Sequence, residues 1–437
     1  VNIGIIGLGY VGLTLAMAAA NSGHIVYGTE INEHIKKCIT KKKAHFYEPG
    51  IDNLIRRHLD RSFFVVDEFS PDIPIEAFII TVGTPLSGEE VDGVKQPNFD
   101  YIRSAIKSIK VYDGTQMIIL RSTVSVGTTR NVVIPYLCEL SGKKESEILV
   151  GMCPERTLEG KAVHELTHLP QIISGNNPES IDIAQRLFRN ITPYVITADS
   201  IEEAELAKLY CNTYRDMTFA LGNAFCMAAQ EFGVDGISVI KHANQGYDRS
   251  NIAYPGYVAG PCLEKDAYIL INNMPECDSK KFILSARKFN ESLIDITVNW
   301  VRERIGEPEK GKRITLSGMA FKGNPETSDL RGSSSVYIAN ALIKAGYELN
   351  IHDYVAIKDE MEALHVGAVY DDLYEACKDS QLLLVLNNNS RYGKLLYNEV
   401  FSKTKRGFAV LDTWKACTEL YYADDIDIRT LGNMNID

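Results

Sequence analysis

Short apolar runs alternate along the whole chain with longer segments whose apolar residues recur at helical spacing. Runs at 2–7, 25–29, 77–82, 116–120 and 149–153 are rich in Ile, Val and Leu and carry few polar positions. Such runs are the pattern of strands buried on both faces, as in a parallel sheet. Between them, 13–22, 31–39, 51–59 and 101–110 read as helices, with 46–50 as a turn. The polar stretch 87–97 reads as a flexible loop. The longest helical pattern is 200–232, which Asp199 or Ser200 can cap, with Glu202, Glu203 and Glu205 suiting its N-terminal dipole. Leu206, Leu209, Tyr210, Met217, Ala220, Leu221, Ala224 and Phe225 lie on one broad stripe of it. A helix of that length is too long for one small core, so it is expected to link two lobes and to pair with a second subunit. Residues 279–305 are mostly helical and 307–311 read as a linker. A second strand series then follows at 313–317, 349–352, 382–386 and 408–411.

The first strand runs into Gly7-Leu8-Gly9-Tyr10-Val11-Gly12, a helix follows, and the second strand ends at Glu30. This is G-x-G-x-x-G in the context that gives it meaning: strand before, helix after, and an acid roughly 20 residues on. The glycines let backbone approach a pyrophosphate resting on the helix N-terminus. Glu30 would accept hydrogen bonds from ribose hydroxyls and repel a 2′-phosphate, which favours NAD over NADP. The expected fold is therefore α/β: two Rossmann-like parallel-sheet domains joined by a long helical central segment, with boundaries 1–198, 199–305 and 306–437. The second domain lacks the full glycine fingerprint and is assigned no dinucleotide.

Bulk properties narrow the field of partners. The 437 residues allow two or three domains, and a net charge of −11 argues against nucleic acid or an acidic membrane. No apolar run approaches a membrane span, and 1–7 is strand-like rather than a basic-then-apolar leader. The nine cysteines are scattered singly, with no Cys-x-x-Cys and no zinc spacing. The expectation is a cytoplasmic protein with reduced thiols and no structural metal.

The stretch 254–266, Tyr-Pro-Gly-Tyr-Val-Ala-Gly-Pro-Cys-Leu-Glu-Lys-Asp, carries the most chemistry. Two glycines and two prolines make it a loop. If a helix begins near Pro261, Cys262 lies in its first turn, where unpaired N–H groups favour thiolate, and Asp266 shares its face. That suits a nucleophile beside a carboxylate, although a lone cysteine is commonly a buried, inert thiol. Elsewhere the residues leave two readings open. Thr84, in Gly83-Thr84-Pro85, and Thr123 stand at strand carboxyl edges where a cofactor would lie, but Thr123 equally suits a helix cap. Glu155 and Glu159 flank Arg156 past a strand end, as acid/base apparatus or as a solvated loop. Lys208, Asn212 and Arg215 form a polar stripe on the long helix. A lysine there is commonly a solvated charge, and one aimed at a cleft can stabilise an oxyanion.

Taken in order, Gly7-x-Gly9-Tyr10-Val11-Gly12, Ser122-Thr123-Val124, Pro154-Glu155 with Glu159, Lys208 with Asn212, and Gly260-x-Cys262-Leu263-x-Lys265-Asp266 resemble the nucleotide-sugar 6-dehydrogenases over nearly the whole chain. The resemblance implies a four-electron oxidation of a sugar C6 alcohol to a carboxylate, with two NAD reduced in sequence. It implies Cys262 as the nucleophile that forms a thiohemiacetal and then a thioester. Asp266, Thr123 and Glu159 would arrange or activate water, and Lys208 and Asn212 would stabilise the oxyanion. Glu155 matches a position near cofactor or sugar. Gly260 belongs to the loop that meets the sugar. Arg249 resembles an arginine that reaches a neighbouring subunit's sugar, which makes the active form at least a homodimer. Lys322 and Arg331 match basic residues that hold uridine diphosphate, while Trp414 stands near where the family often has arginine. Asn212-Thr213-Tyr214-Arg215-Asp216 and Cys153-Pro154-Glu155-Arg156 resemble the branch that oxidises UDP-N-acetylmannosamine or UDP-N-acetylglucosamine. Cys262-Leu263-Glu264-Lys265-Asp266 is closer to the UDP-glucose branch, with Glu264 in place of its usual proline and Ala259 in place of a frequent glycine. The reading leans to an N-acetylated sugar, with UDP-glucose, a two-electron dehydrogenase that needs no cysteine, and a non-catalytic NAD- and UDP-sugar-binding protein as alternatives.

Overall fold

A computed structural model describes residues 1–309, 311–396, 399–400, 404, 407–422 and 426–436. Lys310, in the linker expected at 307–311, lies outside them. The chain divides into two compact units, Val1–Asn212 with Lys265–Cys277, and Thr213–Glu264 with Asp278–Asp437.

The first unit is built on strands β1 Asn2–Ile6, β2 Ile25–Thr29, β3 Phe63–Val65, β4 Ala77–Ile80, a hairpin of β5 Leu86–Val91 and β6 Val94–Pro97, then β7 Met117–Leu120 and β8 Leu149–Met152. Six of these form one parallel sheet in the order β3-β2-β1-β4-β7-β8. The order reverses between β1 and β4, the switch point at which such sheets bind ligand. β4, β7 and β8 are buried along their whole length, as the apolar runs required. Alternate residues feed opposite faces. Ile79 and Ile119 join Ile3, Ile5, Leu13 and Leu15 in one core. Phe78, Ile80, Ile118 and Leu120 join Ile102, Ile106 and Val133 in the other. A small parallel pair, β9 Gln171–Ile173 and β10 Val195–Thr197, completes the unit and had no expectation from the pattern.

The stretch 87–97 is not a flexible loop. β5 and β6 pair antiparallel, with Val91 opposite Val94. Asp92 and Gly93 both have positive φ, 51° and 78°, as the two central residues of a tight hairpin turn require. β5 is exposed for most of its length, so polarity there reflects solvation of a strand rather than absence of one. Beyond β7 the chain enters a widened π turn, Thr129–Val133, before the α-helix Ile134–Ser141. Pro135 enters that helix at its start and has no N–H to donate backwards.

The second unit repeats the plan with β11 Arg313–Ser317, β12 Glu348–His352, β13 Ala368–Tyr370, β14 Leu382–Val385, β15 Ala409–Asp412 and β16 Asp427–Arg429. These form a parallel sheet in the order β13-β12-β11-β14-β15-β16. Leu316, Ile351, Leu384 and Leu411 pack with Ile338, Leu342, Leu293 and Trp300 on one face, and Leu383, Val385 and Val410 with Leu373 and Leu420 on the other. The two long helices, Ile201–Glu231 and Asp278–Ile305, match the expected helical segments. The division between units falls inside the first of them, after Asn212.

Candidate active site

The glycine-rich turn of the first unit is shaped as a dinucleotide cradle. Gly7 takes φ +93°, and a Cβ on Gly12 would stand 1.8 Å from the Gly7 carbonyl oxygen, so helix and strand meet there without room for a side chain. Gly9 is the N-cap of the helix Tyr10–Asn21 and has no side chain with which to cap its N–H groups. These N–H groups fit a pyrophosphate. The Glu30 carboxylate ends β2, accepting from Leu8 N at 2.7 Å and from Ile31 N and Asn32 N, each at 2.9 Å. Its charge is thereby held beside the turn where an adenosine ribose would lie. Glu30→Gln should narrow the preference for NADH over NADPH by about tenfold, the worth of one charge-assisted hydrogen bond. Fluorescence titration with the two cofactors reads this, and an unchanged preference would refute the role of the charge.

The loops at the sheet's carboxyl edge are stitched together. Thr81 Oγ1 donates to Gly7 O (2.7 Å), Ser122 Oγ to Val82 O (2.6 Å), and Thr84 Oγ1 to Thr123 O (2.7 Å). Thr84 and Thr123, both expected near cofactor, are therefore neighbours, but the proton of the Thr84 hydroxyl is committed to the loop. Tyr10, in the fingerprint, also has a structural bond. Its hydroxyl donates to Glu48, while Gly160 N donates to Glu48 Oε2 at 2.7 Å and to the Tyr10 oxygen at 3.1 Å. Burial pushes the Tyr10 phenol far up, and the charges of Glu48 and Glu159 add to this. Glu159 is half-buried, next to Gly160 in this network. Glu48 had no expectation attached to it.

Glu155 is neither a solvated loop residue nor paired with its neighbour Arg156, which donates to Pro170 O at 2.5 Å. It lies at 7% exposure in an ion pair with Arg121, the first residue beyond β7. Arg121 also donates to Gln171 Oε1 at 2.9 Å and Cys153 O at 3.1 Å. Burial would raise the Glu155 carboxyl, but Arg121, hydrogen bonds from Thr157 and the Lys208 ammonium hold it below the usual carboxylate range. Lys208 is thus a buried lysine, at 6% exposure, in the field of a buried carboxylate, and not the solvated charge its helical position suggested. One turn along, Asn212 Nδ2 donates to Asp266 Oδ2 at 2.6 Å. Asp266 is fully buried and also accepts from Lys265 Nζ at 2.7 Å. Glu205, expected to favour the helix dipole, instead reaches the loop after β7, accepting from Gly127 N (2.6 Å), Thr129 N (2.9 Å) and Thr129 Oγ1 (2.7 Å).

In the second unit, Cys262 is exposed and immediately precedes the helix Leu263–Ile271. It therefore stands at the helix N-terminus rather than inside the core. Gly260 takes φ +94°, donates to Gly332 O at 2.8 Å, and would place a Cβ 2.6 Å from the Phe321 ring. Arg249 is exposed, its guanidinium 4.8 Å from the Tyr247 ring centre. Lys322 lies 5.3 Å over the Phe321 ring, and Arg331 binds Asp329 bidentately at 2.6–3.0 Å. A cavity of about 620 Å³ opens where the loops after β14 and β15 meet Phe219 and Tyr254. Trp414, Lys415, Lys241 and Asn388 complete its principal walls. Aromatic faces with two ammonium groups suit a base and its phosphates. Trp414 is fixed by donating to Leu386 O at 3.1 Å.

Three family models match the chain: the NAD-binding domain of the UDP-glucose/GDP-mannose dehydrogenase family over residues 1–192, its central domain over 202–292, and its UDP-binding domain over 315–419. The chain is 30% identical over 435 residues to the UDP-N-acetyl-D-mannosamine dehydrogenase of Methanococcus vannielii, covering 98% of this chain and 96% of that one. It is 32% identical over 375 residues to the same-named enzyme of Pyrococcus horikoshii, covering 84% and 87%. The solved structure of a UDP-D-ManNAc dehydrogenase from Pyrococcus horikoshii superposes with a TM-score of 0.88 at 27% identity over the whole of both chains. The glycine cradle with its acid, the repeated parallel sheet and these matches together make this chain a member of the UDP-glucose/GDP-mannose dehydrogenase family, an NAD-dependent nucleotide-sugar dehydrogenase.

Proposed function

We propose that this enzyme oxidises the C6 hydroxyl of a UDP-N-acetylhexosamine, UDP-N-acetylmannosamine or UDP-N-acetylglucosamine, to a carboxylate in two hydride transfers. The observation that carries the covalent route is Cys262, exposed at a helix N-terminus with the buried Asp266 four residues along the same helix. A thiol in such a place is an accessible nucleophile. The alcohol first loses a proton and a hydride to give the aldehyde. The Cys262 thiolate then adds to the aldehyde carbon, forming a C–S bond and an alkoxide. Loss of a second hydride leaves a thioester, and water cleaves the C–S bond to release the carboxylate and the thiol. NAD held on the Gly7–Gly12 turn would supply the hydride acceptor for each oxidation.

We assign Lys208 and Asn212 to the oxyanion, a role that a buried ammonium and a positioned amide suit. Asp266, Glu159 and Thr123 are assigned to the water, and Gly7, Gly9, Tyr10, Val11, Gly12, Glu30, Thr84, Thr123 and Glu155 to the cofactor. Glu155, Lys208, Arg249, Gly260, Lys322 and Arg331 are assigned to the UDP-sugar, with the Trp414 cavity holding part of the nucleotide. The lean to an N-acetylated sugar is supported by the names of the relatives. A homodimer is supported by the long helix, on which Tyr210, Tyr214, Leu221 and Phe225 remain 59%, 71%, 49% and 44% exposed. A stripe of this kind suits a second copy of the same helix. A chain with nine cysteine thiols, one of them reactive, suits a reducing, cytoplasmic setting.

The test is the yield of NADH per sugar consumed, with UDP-N-acetylmannosamine, UDP-N-acetylglucosamine and UDP-glucose in parallel. Two NADH per N-acetylated sugar is the expected result. Two from UDP-glucose alone would move the substrate assignment, and one from any sugar would sink the four-electron route.

A further inference from the structure

The loop that ends in Cys262 is tied down by a buried polar network that no catalytic role explains. Asn223, fully buried, binds both sides of Gly256: its Nδ2 donates to Gly256 O at 3.0 Å, and Gly256 N donates to its Oδ1 at 2.9 Å. The same Nδ2 donates to Asn290 Oδ1 at 2.9 Å. Asn290 Nδ2 donates to Asp216 Oδ1 at 2.8 Å and to Asp216 O at 2.9 Å. Asp216 Oδ1 also accepts from Arg287 Nη1 at 2.7 Å, and that nitrogen donates to Leu263 O at 3.1 Å. All four side chains are at most 3% exposed.

The chain from Gly256 to Leu263 is thus held at both ends by one hydrogen-bonded unit mounted on two long helices, Ile201–Glu231 and Asp278–Ile305. Cys262 is covalently next to the fixed Leu263. A buried ion pair with its amides is a costly way to gain stability, and such groups are better suited to specifying one geometry. We propose that Asp216, Asn223, Arg287 and Asn290 are positioning residues that hold the Cys262 loop, and thereby set the rate of the thiol-dependent half of the reaction. This rests on the proposed role of Cys262 as nucleophile. The first hydride leaves an alcohol carbon and needs no thiol, whereas the second leaves the carbon to which sulfur has bonded. With the sugar saturating, so that its contact with Gly260 does not limit the first step, a loosened loop therefore slows the second transfer selectively.

Arg287→Lys separates the two roles of the arginine. The ammonium still neutralises Asp216, but on its shorter side chain it stops short of the Arg287 Nη1 position, from which that one nitrogen serves both Asp216 Oδ1 and the Leu263 carbonyl. Single-turnover NADH formation should show the first hydride step within about twofold of the parent and the second slowed about tenfold, the scale expected for a misplacement well under 1 Å. Asn223→Ala, at the far end of the loop, should show the same split more weakly, and it decides the matter if Arg287→Lys does not fold. Independently of turnover, the apo protein is treated with iodoacetamide at pH 7.5 and mapped by mass spectrometry. Alkylation at Cys262 should slow about threefold in Arg287→Lys as the thiol loses its alignment with the helix N–H groups. Cys211, exposed on the long helix, serves as the internal reference and should be unchanged. Equal slowing of both hydride steps with unchanged Cys262 alkylation would overturn the proposal and leave the network a packing device. Should the parent oxidise none of the sugars, the alkylation ratio still decides whether the network positions the thiol.

Discussion

Cys262→Ala should lose the second NADH. Turnover to the carboxylate is expected to fall by about a thousandfold or more, the range seen when a covalent nucleophile is deleted. The physical reason is that a hydride cannot leave an aldehyde carbon until a nucleophile has added to it. In the variant only water at neutral pH is available for that step. NAD binding should be unaffected, because the contacts assigned to the cofactor, the glycine cradle and Glu30 among them, do not include Cys262. The decisive quantity is stoichiometry with aldehyde trapping: about one NADH, or less, per sugar and a trappable aldehyde. A variant that still yields two NADH per sugar at a rate near the parent's would show that the cysteine is structural, and would favour a two-electron dehydrogenase or a hydrate-based mechanism.

Arg121→Met should produce the largest loss of stability. Removing the guanidinium strands Glu155 as a buried carboxylate, and breaking a buried pair from one side typically costs about 3–5 kcal/mol. Lys208 and the Thr157 hydrogen bonds soften this without replacing the ion pair. The loss carries a pH signature. In the parent, Glu155 titrates below the usual carboxylate range. The unfolded chain therefore binds the proton more readily. The pair's contribution is fully present above the unfolded value of about 4.3 and is lost as pH falls through the lower folded value. In the variant burial dominates and the folded value is raised, so stability falls as pH rises past the unfolded value. The gap between parent and variant should therefore be wider at pH 7.5 than at pH 5. Denaturant midpoints at the two values measure it. A gap that is absent, or wider at the acid side, would mean Glu155 is not the charged partner of Arg121.

Several parts of the structure were legible because they are encoded locally. In the first unit β1, β2, β4, β7 and β8 lie in the apolar runs named from the sequence, whereas β3 and the β9–β10 pair had no expectation, and the doubly wound order suits strands alternating with crossover helices. Gly7, Gly12 and Glu30 were readable because the steric demand is met by residue type at fixed spacing. The hairpin at Leu86–Pro97 is equally local, but its polarity resembles that of a loop. Asp92-Gly93 between Val91 and Val94 is a strong turn signal, and the surrounding polarity belongs to exposed strands rather than to a loop. Trp414 illustrates the intermediate case. Its position after the last apolar strand is visible in the sequence. That Gly256 must be glycine because a Cβ would stand 2.4 Å from the Trp414 ring is not.

The sequence by itself determined the two parallel sheets, the dinucleotide cradle, the long helices and the candidacy of Cys262, because periodicity, glycine spacing and chain order act over one or two turns of structure. Only the tertiary structure decided what each charge meets. Glu155 pairs with Arg121, 34 positions away, rather than with the adjacent Arg156. Asp216 pairs with Arg287, 71 positions away, and through it with the loop beside Cys262. Lys208 is buried beside a carboxylate rather than solvated. A side chain's type states what it can bond, but burial removes the water that would otherwise satisfy it. Which distant donor or acceptor takes the place of that water is set by the packing of whole elements, and no local pattern records that choice.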